Sequence, residues 1–372
     1  MTAAIGFAFF SSSLAFAQAG EKMLTAELFA SVPQSVGNIT FTPDNRVIYS
    51  HHPFFSPDVR VAELDADRKT FKPFPNAAWN TPRAGTDQYL DSVLGLRGDE
   101  NGIVWMLDMG QRTPLTPKIV GWNTRSNRLE RIYYLPSPAS LPESQHNDFV
   151  VDVKNRKFYI ADEGIGPGGD GTKAALVIVD MDTGAARRLL QGHVSTLPED
   201  RPIAVDGKPL TVPGKDGKPV LIKVGADGIA ADKNFEWLYY GPLNGTSIYR
   251  IRISDLVNEA LTEAETGSRV ERYAAKPNNG GLSIDGDGNL YLTEVETKAV
   301  GIIPAKDRQY RRFAWNDDLI WPDGVSYAPD GFMYVSAAQI PLAALFNEGT
   351  ARNKAPYHIF RFKPLAPGRP GH

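Results

Sequence analysis

The chain has 372 residues, 42% hydrophobic and 22% charged, a globular balance that excludes long disorder and a series of membrane spans. Its 40 Lys and Arg against 43 Asp and Glu leave a net charge of −3, so no global field draws it to nucleic acid or an anionic lipid surface. Cysteine is absent, which excludes disulfides, thiolate metal sites and cysteine nucleophiles.

Residues 1–17 are small and apolar, with Ile5, Phe7, Phe9 and Phe10 at the centre and an A-x-A-like end at Ala15-Phe16-Ala17. This reads as a secretory signal peptide, although no Lys or Arg precedes Lys22 to make the usual positive n-region. The expectation is a signal peptide over 1–17 and a secreted or periplasmic mature chain over 18–372. No later stretch reaches about 18 apolar residues, so no membrane span is expected. Without cysteine, a bacterial periplasmic or extracellular setting fits at least as well as a eukaryotic secreted one.

From residue 37 onwards one unit recurs: a Gly, Asn or Asp opens an alternating apolar strand, a tight polar turn follows, and a second strand is rich in Tyr, Trp, Val and Ile. The copies begin at Gly37-Asn38, Asp91-Ser92, Asn147-Asp148, Asp227-Gly228, Gly280-Gly281 and Asp323-Gly324. Third and fourth strands follow most of them, as in Lys118-Ile119-Val120-Gly121-Trp122 and then Leu129 to Tyr134. Four antiparallel strands per unit make a propeller blade, and six units predict an all-β, six-bladed β-propeller.

Residues 193–224, rich in Pro, Gly and Asp, read as two hairpins in a surface excursion. The last unit shows only three strands, and residues 23–29 are expected to supply its outer strand and leave no open sheet edge. Short helices are expected at 255–265 and 342–346. Trp105, Trp237, Tyr239 and Tyr291 sit inside strand patterns and read as core.

In a blade the first strand begins, and the second ends, at the same face beside the channel. The residues opening first strands, Asn38, Asp91, Asn147, Asp148, Asp227, Asn279 and Asp323, should gather at that mouth. His51, His52, Asp108, Asp162, Glu163, Asn244 and Glu294, which end second strands, should surround them. Converging Asp and Asn oxygens suit Ca²⁺, for which Asn147, Asp227 and Asp323 are the candidate ligands. The alternative is that each holds its own turn through an Asx bond. Asp108, Asp162 and Glu163 have a competing role as caps on backbone amides. Trp321 stands at the rim, either facing a ligand or packed between blades. No G-x-S-x-G, P-loop, H-E-x-x-H or dinucleotide fingerprint is present.

The segments Gly98-Asp99-Glu100-Asn101-Gly102-Ile103-Val104-Trp105-Met106-Leu107-Asp108-Met109-Gly110 and Pro117-Lys118-Ile119-Val120-Gly121-Trp122-Asn123 resemble the yellow and major royal jelly protein family. So do Tyr239-Tyr240-Gly241-Pro242-Leu243-Asn244-Gly245, Trp321-Pro322-Asp323-Gly324 and Tyr357-His358-Ile359-Phe360-Arg361. The resemblance implies a secreted propeller that binds a small aromatic or amine ligand at its channel mouth, with tautomerase or isomerase chemistry in some members. At the mouth expected from the blade geometry, Trp321 would stack on such a ligand and Asp108, Glu163 and Asp323 would attract its cation. The missing cysteines depart from the animal members and point to a bacterial branch. More distantly, the blades resemble the gluconolactonase or senescence-marker family. That likeness implies a Ca²⁺-dependent lactone hydrolase, although Asn38 stands where that family has a glutamate. A scaffold that binds another protein through a broad face stays open beside these two.

Overall fold

The computed structural model describes residues 23–214 and 216–372; the expected signal peptide lies outside them. Alternating apolar residues separated by short polar turns fold into six antiparallel blades. Blade 1 comprises Val36–Phe41, Val47–His51, Val61–Leu64 and Phe71–Pro73. Blade 2 comprises Val93–Gly98, Ile103–Asp108, Lys118–Asn123 and Arg128–Tyr134. Blade 3 follows with His146–Asp152, Lys157–Asp162, Ala175–Asp180 and Ala186–Leu189. Blade 4 is Ala226–Ala231, Trp237–Pro242, Ser247–Arg252 and Glu271–Ala275. Blade 5 is Leu282–Ile284, Leu290–Glu294, Ala299–Ile303 and Arg311–Trp315. Blade 6 takes Pro322–Tyr327, Met333–Ala337 and Tyr357–Phe362 from the C-terminal part of the chain.

The fourth strand of blade 6 is Glu27–Val32, antiparallel to Tyr357–Phe362, so the two ends of the chain close the ring as expected. The boundaries differ from the sequence reading. Leu24–Thr25 instead runs parallel to Arg311–Trp315 of blade 5, and the closing strand extends beyond residue 29 to Val32. Burial explains the shift: Leu28 is 56% exposed, whereas Ala30 and Val32 are buried against blades 1 and 6.

Each first strand touches the first strands of both neighbouring blades, so six inner strands surround the axis. An apolar cluster fills every gap between adjacent blades. Trp105, Tyr239 and Tyr291 belong to three of these clusters, and Trp237 packs against one, as their strand positions implied.

The region expected to be helical over 255–265 is two short helices, Ile253–Leu256 and Glu263–Ser268. Thr262 and Glu265 form a reciprocal capping box that starts the second helix afresh. Residues 342–346 lie within two 3₁₀ turns, Ile340–Leu342 and Ala344–Phe346. The excursion between blades 3 and 4 makes the two expected hairpins, Ala204–Val205 with Lys208–Pro209 and Thr211–Pro213 with Pro219–Leu221. No helix among the described residues is long and apolar enough to cross a membrane.

The inner ring is tight enough to exclude a methyl group. A Cβ on Gly228 would lie 2.6 Å from the Gly280 carbonyl oxygen and 2.9 Å from the Leu282 Cβ. Gly228→Ala should therefore cost about 1–3 kcal/mol in urea unfolding; a loss below roughly 0.5 kcal/mol, the range of a neutral surface change, would show that the inner strands are not packed this closely.

Candidate functional site

In five blades the pairing of first and second strands slips at the same place. The breaks lie between Val36 and Ile39, Val93 and Leu96, His146 and Phe149, Ala226 and Ile229, and Pro322 and Val325. A bulge sets two residues against one and re-aims their side chains. The residues inside these bulges include Asn38, Asn147, Asp148, Asp227 and Asp323, so one recurring distortion turns the polar openings of the blades toward a common centre.

Contacts between blades follow. Asn147 Nδ2 donates to Asp227 Oδ1 in the next blade. Asn38 Nδ2 donates to Asp148 Oδ1 at 3.3 Å, linking blades 1 and 3. Arg97 of blade 2 completes that triangle, with Nη1 3.3 Å from Asn38 Oδ1 and Nη2 2.5 Å from Asp148 Oδ2. Glu163 accepts from Gln145 Nε2 at 2.5 Å and is hydrogen-bonded to Asp227. Two carboxyl groups in that relation need a proton on one of them.

Asp323 meets His52. The Phe54 N–H donates to His52 Nδ1 at 3.2 Å, so the neutral ring carries its proton on Nε2, 3.1 Å from Asp323 Oδ2. The approach is not aligned as a hydrogen bond, and Asp323 Oδ2 keeps an unused acceptor.

Four carboxyl groups, Asp148, Glu163, Asp227 and Asp323, thus influence one another, with Arg97 and Lys276 as the nearby cations. Burial holds Glu163 well above the usual carboxylate range, and Asp227 adds to the effect. Asp227 is raised likewise by burial and then by Asp323 and Asp148. Burial also raises Asp148, against the pull of Arg97. Burial pushes Lys276 down to about 7. Its Nζ donates to the carbonyls of Pro242 at 2.8 Å and Gly245 at 3.0 Å, a position that ties down the loop after the second strand of blade 4.

Other residues expected at the mouth have different work. Asp108 is fully buried and its oxygens accept the amides of Asp91, Ser92 and Gly110, with Lys118 Nζ at 3.1 Å; it caps its own blade and stands apart from the carboxylate group. Asp162 does the same for Gln145 and Gly164, and Asn244 for Val224. Asp91 accepts from the amides of Arg112 and Thr113, and the Asn279 amide bonds the carbonyls of Gly280 and Gly281. Glu294 turns toward Tyr310, Thr297 and Arg312. His146 is buried against Ser140, and His51, pushed by burial to about 4, holds the Val59 carbonyl.

Trp321 lies 9% exposed in an apolar cluster with Ile203, Leu210, Val224, Leu243, Val295, Ala338 and Ile340, flanked by Phe55, Ile165 and Phe346. Its members come from blades 1, 3, 4, 5 and 6 and from the excursion, an assembly possible only across the mouth. Trp321 is therefore part of an apolar roof. Arg97 and Gln145 were not singled out in the sequence. For Arg97 a signal existed: it alternates with Leu94 and Leu96 as the one charged residue of an otherwise apolar strand, Val93–Gly98.

The candidate calcium ligands Asn147, Asp227 and Asp323 have other partners in this geometry. Asn147 presents its amide nitrogen to Asp227, Asp323 is drawn to His52, and among the described residues no three His, Asp or Glu groups converge to hold a metal. The three do not form a closed calcium ligand set in this arrangement.

An all-β ring of six blades with a polar axial centre defines the protein as a six-bladed β-propeller whose first strands carry the candidate site. Within that class the chain belongs to the major royal jelly protein family, whose model matches residues 91–352. No curated protein matches it in sequence. Similar solved structures include a luciferin-regenerating enzyme, 11% identical with a TM-score of 0.57, covering 93% of this chain and 98% of the other. A gluconolactonase from Xanthomonas campestris is 11% identical with a TM-score of 0.55, over 94% and 99% of the two chains. The calcium-binding protein regucalcin from Agrobacterium tumefaciens is 12% identical with a TM-score of 0.54, over 93% and 99%. At these identities the likeness is one of fold.

Raised folded pKa values have a definite pH signature. The stability contributed by Glu163 and Asp227 is present in full below the ordinary carboxylate range and is lost as pH rises through their folded values. Asp227→Asn keeps an acceptor for Asn147 but cannot ionise. It should raise Tm at about pH 8 relative to the parent, with the gain shrinking toward about pH 5; a variant less stable at both ends would show that the ionised Asp227 is already compensated.

Proposed function

We propose that this protein binds a small cationic amine carrying an aromatic or other apolar body at the channel mouth. The carrying observation is the mutual influence of four carboxyl groups, three of them almost fully buried, with an unused acceptor on Asp323. Buried negative charge is costly until a cation or proton compensates it. An ammonium group supplies that charge and donates to Asp323, Glu163 and Asp227, while the roof around Trp321 receives the apolar part.

The Glu163–Asp227 pair also supports isomerisation. One carboxylate removes a proton from the bound molecule while the other carboxyl group returns one at a second atom, leaving the enzyme's proton count unchanged. Export through residues 1–17 belongs to the same proposal, and recovery of a chain beginning after Ala17 in the periplasm or medium is its test.

Isothermal titration with catecholamines and indoleamines, each beside a neutral analogue lacking the amine, tests the binding. Amines should bind and neutral analogues should not, and Asp323→Asn should weaken binding about 10–100-fold, as expected for a lost charge-assisted bond. No heat with any amine, or equal heat with the neutral analogues, would overturn the proposal. Calcium heat that survives Asp323→Asn but not Asp227→Asn would move the site to a metal instead.

A further inference from the structure

The connection between blades 3 and 4 pairs with no blade, yet it crosses the mouth. Its two hairpins form sheets of their own. Ile203 and Leu210 from this segment sit in the roof cluster beside Trp321, Val295 and Ile340, with Val205 packed alongside. These contacts set an apolar surface of the segment against Trp321, two residues before Asp323 at the opening of blade 6.

Its polar attachments divide into two sets. At the base, the Glu199 N–H donates to the Asn244 carbonyl at 2.7 Å, and the Thr246 N–H and Oγ1 each donate to Glu199 Oε1 at 2.8 Å. Asn244 Nδ2 adds a bond to the Arg201 carbonyl at 2.8 Å. All of these tie the base to blade 4. Further along, the attachment is to the blade 4–5 connection and blade 5. The Ala204 N–H donates to Glu296 Oε1 at 2.6 Å, and Asn278 Nδ2 bridges the same oxygen at 3.2 Å and the Pro202 carbonyl at 2.9 Å. Glu296 is half-buried, so water is at hand to replace these bonds when they open.

We propose that residues 199–213 form a lid, hinged on blade 4 and latched to blade 5 by Glu296, that governs entry to and release from the amine site. The proposal rests on the amine-binding reading for its ligand but not for its motion. A base fixed by a carboxylate and backbone bonds can stay in place while the latch, one carboxylate oxygen and one amide side chain, lets go. Opening also separates the apolar underside from the Trp321 roof, which sets a barrier. A bound molecule whose apolar body replaces that contact stabilises the closed form, so the lid selects for amines that carry such a body.

The test has two arms. In hydrogen exchange on the ligand-free full chain, Glu296→Ala should speed exchange of residues 199–213 about tenfold, as expected for one lost hydrogen bond to a charged group, and leave the blade strands unchanged. Glu296→Gln, which keeps the acceptor, should stay near the parent. In stopped-flow binding of an arylethylamine, Glu296→Ala should raise both association and dissociation rates several-fold with Kd changed by less than about threefold. Unchanged exchange in residues 199–213, or unchanged rates with measurable binding, overturns the lid. Faster exchange in 199–213 with no amine binding at all retains the lid and overturns the ligand reading instead.

Discussion

The inner strands of the ring approach one another so closely that their backbones, rather than side chains, form much of the contact about the axis. A Cβ on Gly324 would sit 2.5 Å from the Asn38 Cα, and the Gly228 position is equally closed. Strands packed this way cannot also face large side chains at their openings. The bulge resolves the conflict: each slip in pairing inserts one extra residue, and in blades 1, 4 and 6 a glycine, Gly37, Gly228 or Gly324, takes the close-packed position while the adjacent Asn38, Asp227 or Asp323 swings toward the centre. The polar centre is thus a consequence of how the ring closes.

Repetition then turns a local solution into an electrostatic problem. Four of the five bulges contribute a short polar or acidic side chain, and Glu163 adds a further carboxyl group from the end of a second strand. Arg97 offsets part of the charge through Asp148 and Asn38. Lys276 is occupied by backbone carbonyls, so its compensation of Asp227 acts at a distance. What remains is a buried centre that holds protons unusually tightly and keeps an unused acceptor on Asp323. Asp108 and Asp162, which sit at similar strand ends, escape this role because their oxygens are already taken, those of Asp108 by backbone amides and those of Asp162 by the amides of Gln145 and Gly164 and by the Arg188 guanidinium.

Much of this was legible in the sequence. The repeated Asx-led strand pairs located all six blades, and the openings at Asn38, Asn147, Asp148, Asp227 and Asp323 marked the centre correctly in position. Sequence periodicity could not show the bulges, so it could not tell Asn147, which reaches Asp227, from Asp148, which reaches Arg97 and Asn38. It also could not decide which carboxylates cap amides, because Asp108 and Glu163 occupy near-equivalent strand ends and differ only in what lies beside them. The closing strand was misjudged at its edges because Leu28 carries the stronger apolar signal while Ala30 and Val32 are the buried residues. The excursion was visible as two hairpins, but its place beside Trp321 depends on contacts with residues distant in sequence that no local pattern encodes.

The axial carboxyl groups and the apolar roof together make the proposed cation site. A crystal structure of the full chain with an arylethylamine tests it most directly. The ammonium nitrogen should lie within about 3 Å of Asp323 and of Glu163 or Asp227, with the ring against the cluster that contains Trp321. An amine bound elsewhere, with the axial carboxyl groups unchanged in their contacts, would contradict it.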